Sequence, residues 1–490
     1  MLVKDGLDKN RRSRSMAAYV KAHPATRLAL ALLLAGAAMP VAAQDTQATR
    51  WHDTARTIME KSVAFDTVQG HDKVPAYAAY LAGLYKDPGI PEADIHILPY
   101  GKTANLVVRW RAVGKPSKKP MLMLAHMDVV PADASDWGGH DPFKLREENG
   151  LLYGRGVSDN KAGIVGITTA LLKLKAEGFK PGRDLIVFFS GDEETEGDGA
   201  KLAATKWRNL IDAEFGLNSD GGGGSSRADG TVEGFDIQLA EKTYADFEFL
   251  VRNDGGHSSR PRPDNAIYQL SDALTRLSQY RFAPVLVEST RAYFTERQKA
   301  EQGALGNAMR AWLKNPQDGA AADLVEAEEV GMTRTRCVAT MLNGGRAPNA
   351  LPQLARAVVN CRIMPGVEPE TIRKELEKIA LDPNGKAQIE VKQIGTSQMS
   401  LASPLRADVM KAYTDTVHAL HPGVPVIPRM STGASDARPF RNAGIPVYGV
   451  NGSVSAPAGS NAHGKNERLP LKSLHNNVDH WVLLLRKLAG

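Results

Sequence analysis

The sequence predicts an α/β protein with a mostly parallel central sheet, interrupted by a smaller inserted α+β domain. Three observations lead there. Continuous apolar runs such as "PMLML" and "LIVFF" alternate with helical segments, the pattern of strands buried on both faces between crossover helices. Residues 243–398 break that rhythm and read strand, helix, two strands, helix, strand, a ferredoxin-like order. Near residue 400 the first pattern returns.

Residues 1–43 stand apart. A basic stretch, "RRSRSMAAYVKAHPATR", precedes the apolar "LALALLLAGAAM" and an Ala-x-Ala-like site at Val41-Ala42-Ala43. This is the order of a cleaved secretion signal. Its apolar run is too short for a membrane span of about 20 residues. The expected product is exported, to the periplasm or beyond, with no membrane attachment.

The first part of the main domain, 44–242, opens with the helical pattern "DTARTIMEKSVAFDTV". The strand "PMLMLAHMDVVP" follows, ending in His126 and Asp128. A Gly-punctuated loop, "LLYGRGVSDNKAG", feeds the helix "IVGITTALLKLKAEG". Next come the strand "DLIVFFS" and the short strand that leads into "NSDGGGG". Within 243–398, "YADFEFLVRN" alternates as a half-buried strand and "DNAIYQLSDALTRLSQY" is an amphipathic helix. Residues 281–332 form a largely helical insert. The part 399–490 restores the main domain with the helix "ADVMKAYTDTVHAL" and the strands "VPVIPRM" and "IPVYGVNG".

Charge excludes one class of function. The formal net charge is +6, but residues 1–43 hold seven Lys and Arg against two Asp, leaving a surplus of one elsewhere. No basic footprint for nucleic acid remains. The two cysteines, Cys337 and Cys361, flank a predicted hairpin centred near Asn349. They face one another either as a disulfide, which export permits, or as two small core residues.

Chemistry concentrates just past the strands of the first part: His126 and Asp128, then Asp159, then Glu193 and Glu194, then Asp220. Open parallel sheets bind ligands at the carboxyl ends of their strands. So much negative charge beside apolar strands repels itself unless divalent cations neutralise it.

The motifs "HMDVV", "GRGVSDNKAG", "SGDEETEG", "NSDGG", "GGHSSRP", "CRIMPG", "STGASDAR" and "AHGKNERL" resemble, in content and order, those of the cocatalytic-zinc metallopeptidases. That family includes glutamate carboxypeptidase, carnosinase, aminoacylase and succinyl-diaminopimelate desuccinylase. The resemblance implies two Zn2+ ions, with Co2+ or Mn2+ as possible substitutes. It puts His126 and Asp220 on one ion, Glu194 and His463 on the other, and Asp159 between them. Asp128 would orient His126, and Glu193 would be the general base that draws a proton from the water between the ions. In the insert, His257 would stabilise the oxyanion. Arg362, Asn349 and the backbone of Gly433 would contact the substrate's carboxylate and its surroundings. The inserted domain would act as a lid, with a homodimer possible through it. The activity implied is hydrolysis of dipeptides or of peptide C-termini with a free carboxylate. An N-acyl-amino-acid deacylase and a non-catalytic metal-binding relative are the other readings.

Overall fold

The computed structural model describes residues 41–381 and 388–490. The chain divides into two units, Met1–Arg50 and Trp51–Gly490, and all that follows concerns the second. Apart from its last three residues, the expected signal at 1–43 lies outside the described residues.

Buried apolar strands build a nine-stranded sheet. Its order is Ile95–Tyr100, Thr103–Trp110, Leu185–Ser190, Met121–His126, Phe215–Asn218, Val447–Gly449, Val232–Glu241 and Val426–Ser431, with Gly223–Ser226 paired to Val232–Glu241. Four neighbouring strands at its centre, from Leu185–Ser190 to Val447–Gly449, run parallel. The Ile95–Tyr100 and Thr103–Trp110 strands add antiparallel ladders at one side.

Every residue of Met121–His126 and of Leu185–Ser190 is buried. Their alternation shares them between two layers. Met121, Met123, Val187 and Phe189 join the core that holds Trp481 and Leu485 of the helix Leu471–Ala489. Leu122, Leu124, Ile186 and Phe188 face Ala200, Ala203 and Phe440 instead. Burying each such side chain contributes roughly 1.5–3 kcal/mol. The result is a stiff platform whose carboxyl end is the site.

A second, four-stranded sheet is wholly antiparallel, in the order Arg336–Gly344, Leu354–Ile363, Thr243–Arg252, Ile389–Ile394. Helices Ala266–Gln279 and Pro369–Ala380 supply apolar residues to the core on one of its faces. Cys337 and Cys361 pair in register and form a disulfide. The insert's helices, Glu288–Ala300, Gly303–Lys314 and Gly319–Glu328, gather around Trp312 in a core that includes Ala240 and Met430 of the first sheet. The chain passes between the two sheets at Lys242, with Glu241 ending one strand and Thr243 starting the next.

Candidate metal centre

The helix Lys161–Ala176 starts directly after Asp159 and Asn160. It can approach the sheet because residue 163 is glycine. A Cβ there would stand 2.0 Å from both Asn160 Oδ1 and Ser219 Oγ. Those two groups hydrogen-bond at 3.0 Å, so the Asp159 and Asp220 segments are held side by side.

Asp159 is the centre of the site. His126 Nε2 lies 2.9 Å from its Oδ1, and His463 Nε2 lies 3.1 Å from its Oδ2. On the His126 side, Asp220 Oδ1 is 3.7 Å from the same nitrogen. On the other, both oxygens of Glu194 are 3.0 Å from His463 Nε2. Ligand atoms of His126, Asp159 and Asp220 lie within 4.8 Å of one another, and so do those of Asp159, Glu194 and His463. A third such group is His126, Glu193 and Glu194. The structure therefore brings together all five expected ligands and the expected base, from segments 337 residues apart at the extremes, His126 to His463.

Asp128 divides its work between backbone and side chain. Its carbonyl lies 3.1 Å from His126 Nδ1, while its carboxylate is 3.6 Å away. A proton on Nδ1 shared with that carbonyl leaves the Nε2 lone pair facing Asp159 and Asp220. The Asp128 carboxylate accepts instead from the amides of Glu193, at 3.1 Å, and Glu194, at 2.9 Å. Holding two consecutive amides fixes the turn from which the neighbouring glutamates emerge.

Electrostatics mark the cluster as one that wants positive charge. Burial, and then the charge of Asp220, push the Glu193 carboxyl well above its usual range. Burial and Asp159 raise Glu194 to about 7. The hydrogen bond to Asp159 raises His463 to about 9. Burial opposes charge on His126, yet Asp128, Asp159 and Asp220 hold its imidazole well above the ordinary value. Without cations these groups can only share protons. Imidazole nitrogens with carboxylate oxygens, two triads meeting on opposite oxygens of one carboxylate, form a donor set that fits zinc, cobalt or manganese.

Several supporting residues escape sequence reasoning. Glu467, fully buried, accepts from the amides of Gly156, Ser158 and Asp159 at 2.8–3.0 Å and from Arg155 Nη1 at 2.8 Å. It thereby clamps the Asp159 loop, four residues after His463. Asp436, in "STGASDAR", accepts a hydrogen bond from Ser190 Oγ at the strand end just before Glu193. Both lie in motifs already singled out, but only their burial separates them from ordinary surface acids.

Among the described residues, the remaining expected residues make no hydrogen bond or ion pair to the cluster. His257 and Asn349 meet each other: Gly256–His257 pairs with Ala350–Leu351, and the Ser258 amide donates to the Asn349 carbonyl at 3.1 Å. Among the described residues, the side-chain hydrogen bond of His257 is to Ser259, not to any residue of the metal cluster. Arg362 lies over the ring of Tyr244, 4.7 Å from its centroid. Gly433 lies in the loop that follows Ser431, whose carbonyl accepts from the Lys242 amide at 3.1 Å.

A parallel sheet whose strand ends gather histidines and carboxylates around one shared aspartate, with a further glutamate alongside, defines a metal-dependent hydrolase. The model of the family described as Peptidase family M20/M25/M40 matches residues 122–487, and the chain belongs to that family. A mouse protein named N-fatty-acyl-amino acid synthase/hydrolase PM20D1 is 28% identical over 381 residues, 74% of this chain and 73% of its own. Probable carboxypeptidase S-like 2 of Dictyostelium discoideum is 25% identical over 396 residues, 78% of this chain and 74% of its own. Among solved structures, the M20 family metallo-carboxypeptidase Sso-CP2 from Sulfolobus solfataricus superposes with a TM-score of 0.66 at 19% identity. It covers 88% of this chain and 98% of that one, which establishes the shared fold.

Proposed function

We propose that the chain is an exported amidohydrolase that cleaves dipeptides or peptide C-termini next to a free carboxylate, using two zinc ions. The observation that carries this reading is Asp159, with a histidine on each of its oxygens and Glu193 beside them. His126 and Asp220 would hold one ion, and Glu194 and His463 the other, with Asp159 common to both. Zinc held there would polarise a carbonyl and bring the pKa of water toward about 7.

Glu193 has no side-chain hydrogen bond among the described residues, and its burial makes its carboxylate a stronger base than one in water. It takes the proton of the attacking water and delivers it to the leaving nitrogen, so that the C–N bond breaks to acid and amine. Asp128 holds the turn in the orientation this transfer needs. Arg362, Asn349 and the Gly433 backbone are assigned to the substrate's carboxylate. His257 is assigned to the oxyanion, a role that needs its hairpin to move or a second subunit to supply it. The exposed edge strand Arg336–Gly344, with Val338 and Met341 uncovered, suits that second subunit.

One observation favours the N-acyl-amino-acid reading. A cavity of 370 Å3 beside Gly191 and Thr195 has Val68, Val74 and Tyr100 in its wall, an apolar stretch that an acyl chain would follow, although Asp72, Asp128, Asp192, Glu196 and Asp198 also line it. The relatives named N-fatty-acyl-amino acid synthase/hydrolase agree with it.

The test is hydrolysis of a panel of dipeptides and N-acyl amino acids, after chelation and again with zinc restored, beside Glu193→Ala. Zinc-dependent cleavage of dipeptides, lost in Glu193→Ala with metal still bound, supports the first reading. Cleavage of N-acyl substrates alone replaces the substrate and keeps the site. No cleavage of either set by the zinc-loaded protein refutes the proposal.

A further inference from the structure

Both ends of one loop are fastened to two consecutive residues, Glu241 and Lys242. The loop 431–436 leaves the strand Val426–Ser431 and carries Gly433, whose backbone is assigned to the substrate. At its start the Ser431 carbonyl accepts from the Lys242 amide at 3.1 Å. Near its other end Ser435 Oγ donates to Glu241 Oε2 at 2.7 Å. Thr432 and Ala434, between these points, are exposed. A loop held at its ends and open in its middle presents backbone to a ligand without being free to swing.

The direction of the Ser435 bond is forced. The Asp220 amide can only donate, and it lies 3.1 Å from Asn218 Oδ1. That turns Asn218 Nδ2 toward Ser435 Oγ, 3.4 Å away, and the Ala437 amide donates to the same oxygen at 3.2 Å. A hydroxyl that accepts twice has its proton left for Glu241. Glu241 is fully buried and also accepts from Gln238 Nε2 at 3.3 Å. Its Oε1 lies 3.0 Å from Nη2 of Arg441, which is buried too. The neighbouring Asp436 accepts from Ser190, three residues before Glu193. The loop thus joins three strands of the main sheet, those that end in Ser190, Asn218 and Glu241.

A buried ion pair gains little stability over an apolar pair of the same volume. Its carboxylate does what an apolar group cannot, accepting a hydrogen bond from one fixed direction. Glu241 is also the last residue before the chain crosses to the sheet that carries Arg362. Loop and second sheet are therefore placed from a single point.

We infer that Glu241 is a positioning residue: acting through Ser435, it holds the 431–436 loop in the register in which the loop receives substrate. This rests on the amidohydrolase reading and adds to it a residue outside the metal cluster that governs substrate affinity.

Glu241→Gln alone would strand the Arg441 charge and report on stability. The experiment therefore compares Ser435→Ala, Ser435→Thr and the double variant Glu241→Met with Arg441→Met against the wild type, all zinc-loaded. The readouts are kcat and KM on the dipeptides and N-acyl amino acids that the wild type cleaves, and hydrogen exchange by mass spectrometry of peptides covering 431–436 and 121–126. Loss of one hydrogen bond to a charged acceptor predicts a KM about tenfold higher in Ser435→Ala and in the double variant, with kcat within about twofold. Exchange at 431–436 quickens by about the same factor while 121–126 stays unchanged. Ser435→Thr, which keeps the hydroxyl, restores both. Unaltered KM or unaltered exchange overturns the inference. So does a loss confined to kcat and zinc content, which is what a merely structural disturbance of Asp220 would give. If the wild type cleaves nothing, the amidohydrolase reading fails and calorimetry on the same compounds decides. Weaker binding by Ser435→Ala then upholds the positioning role, whereas equal binding, or none by either protein, overturns it.

Discussion

His480 makes the fold sensitive to acid through one side chain. It lies in the helix Leu471–Ala489, fully buried, with Tyr413 edge-on at 5.2 Å and the backbone of Gly452 against its Cβ. Neither ring nitrogen has a hydrogen-bond partner among the described residues. Burial, and to a lesser degree His421, pull its pKa from 6.5 to about 3. The folded value lies below the unfolded one, so as pH falls below 6.5 the unfolded chain takes up the proton first. Stability from this group is therefore complete above pH 6.5 and lost progressively toward pH 3. At about 1.36 kcal/mol per unit, the loss is about 2 kcal/mol at pH 5 and approaches about 5 kcal/mol near pH 3. His480→Leu keeps similar bulk, removes the titration, and relieves two unpaired buried nitrogens. Denaturant unfolding at pH 7 and pH 5 should then show the variant losing about 2 kcal/mol less than the wild type. Other titrating groups, His421 included, are common to both proteins and cancel in the difference. Equal pH-dependent losses in the two would refute the claim that His480 is buried neutral.

Glu467→Gln should lower Tm, because it leaves the buried Arg155 charge unmatched at a cost of about 3–5 kcal/mol. Since the same carboxylate holds the Asp159 loop, metal affinity read by competition with a chelator should fall about 10- to 100-fold. If the chain dimerises through the edge strand Arg336–Gly344, Met341→Lys with Val338→Lys should give a monomer by sedimentation while the fold by circular dichroism is kept. A wild-type protein that is already monomeric at tens of micromolar would refute that interface.

The place of the cluster was legible because sheet physics puts strand ends together, while the part each residue would play was given by the family resemblance. His126 ends one short apolar strand and Asp220 follows another, Glu193 and Glu194 follow a third, and a parallel sheet gathers such ends at one edge. The disulfide choice was not legible, since either state satisfied the hairpin register, and only the bonded sulfurs decide it. The role of Asp128 was legible in position but not in detail. Two residues from His126 its carboxylate was expected on the imidazole, yet the amides of Glu193 and Glu194 offer it two donors at better distance. Glu467 and Asp436 failed to stand out for a different reason. A buried acid resembles a surface acid in sequence until its partner is known, and the partner of Asp436 is 246 residues away.

The same contrast explains why, among the described residues, His257 and Arg362 make no bond to the cluster while its own members bond one another. The ligands extend from the ends of strands and short loops around one rigid sheet, whose packing leaves little room for a second arrangement. His257 sits on an exposed two-residue pairing and Arg362 on a separate sheet joined to the first through the crossing at Lys242. Residues that must both admit a substrate and close on it cannot be held to the metal cluster by permanent bonds. In a rotation about that crossing Arg362, paired with Tyr244 two residues beyond Lys242, would move little, whereas His257, on a two-stranded pairing outside both larger sheets, would have to travel with its own loop.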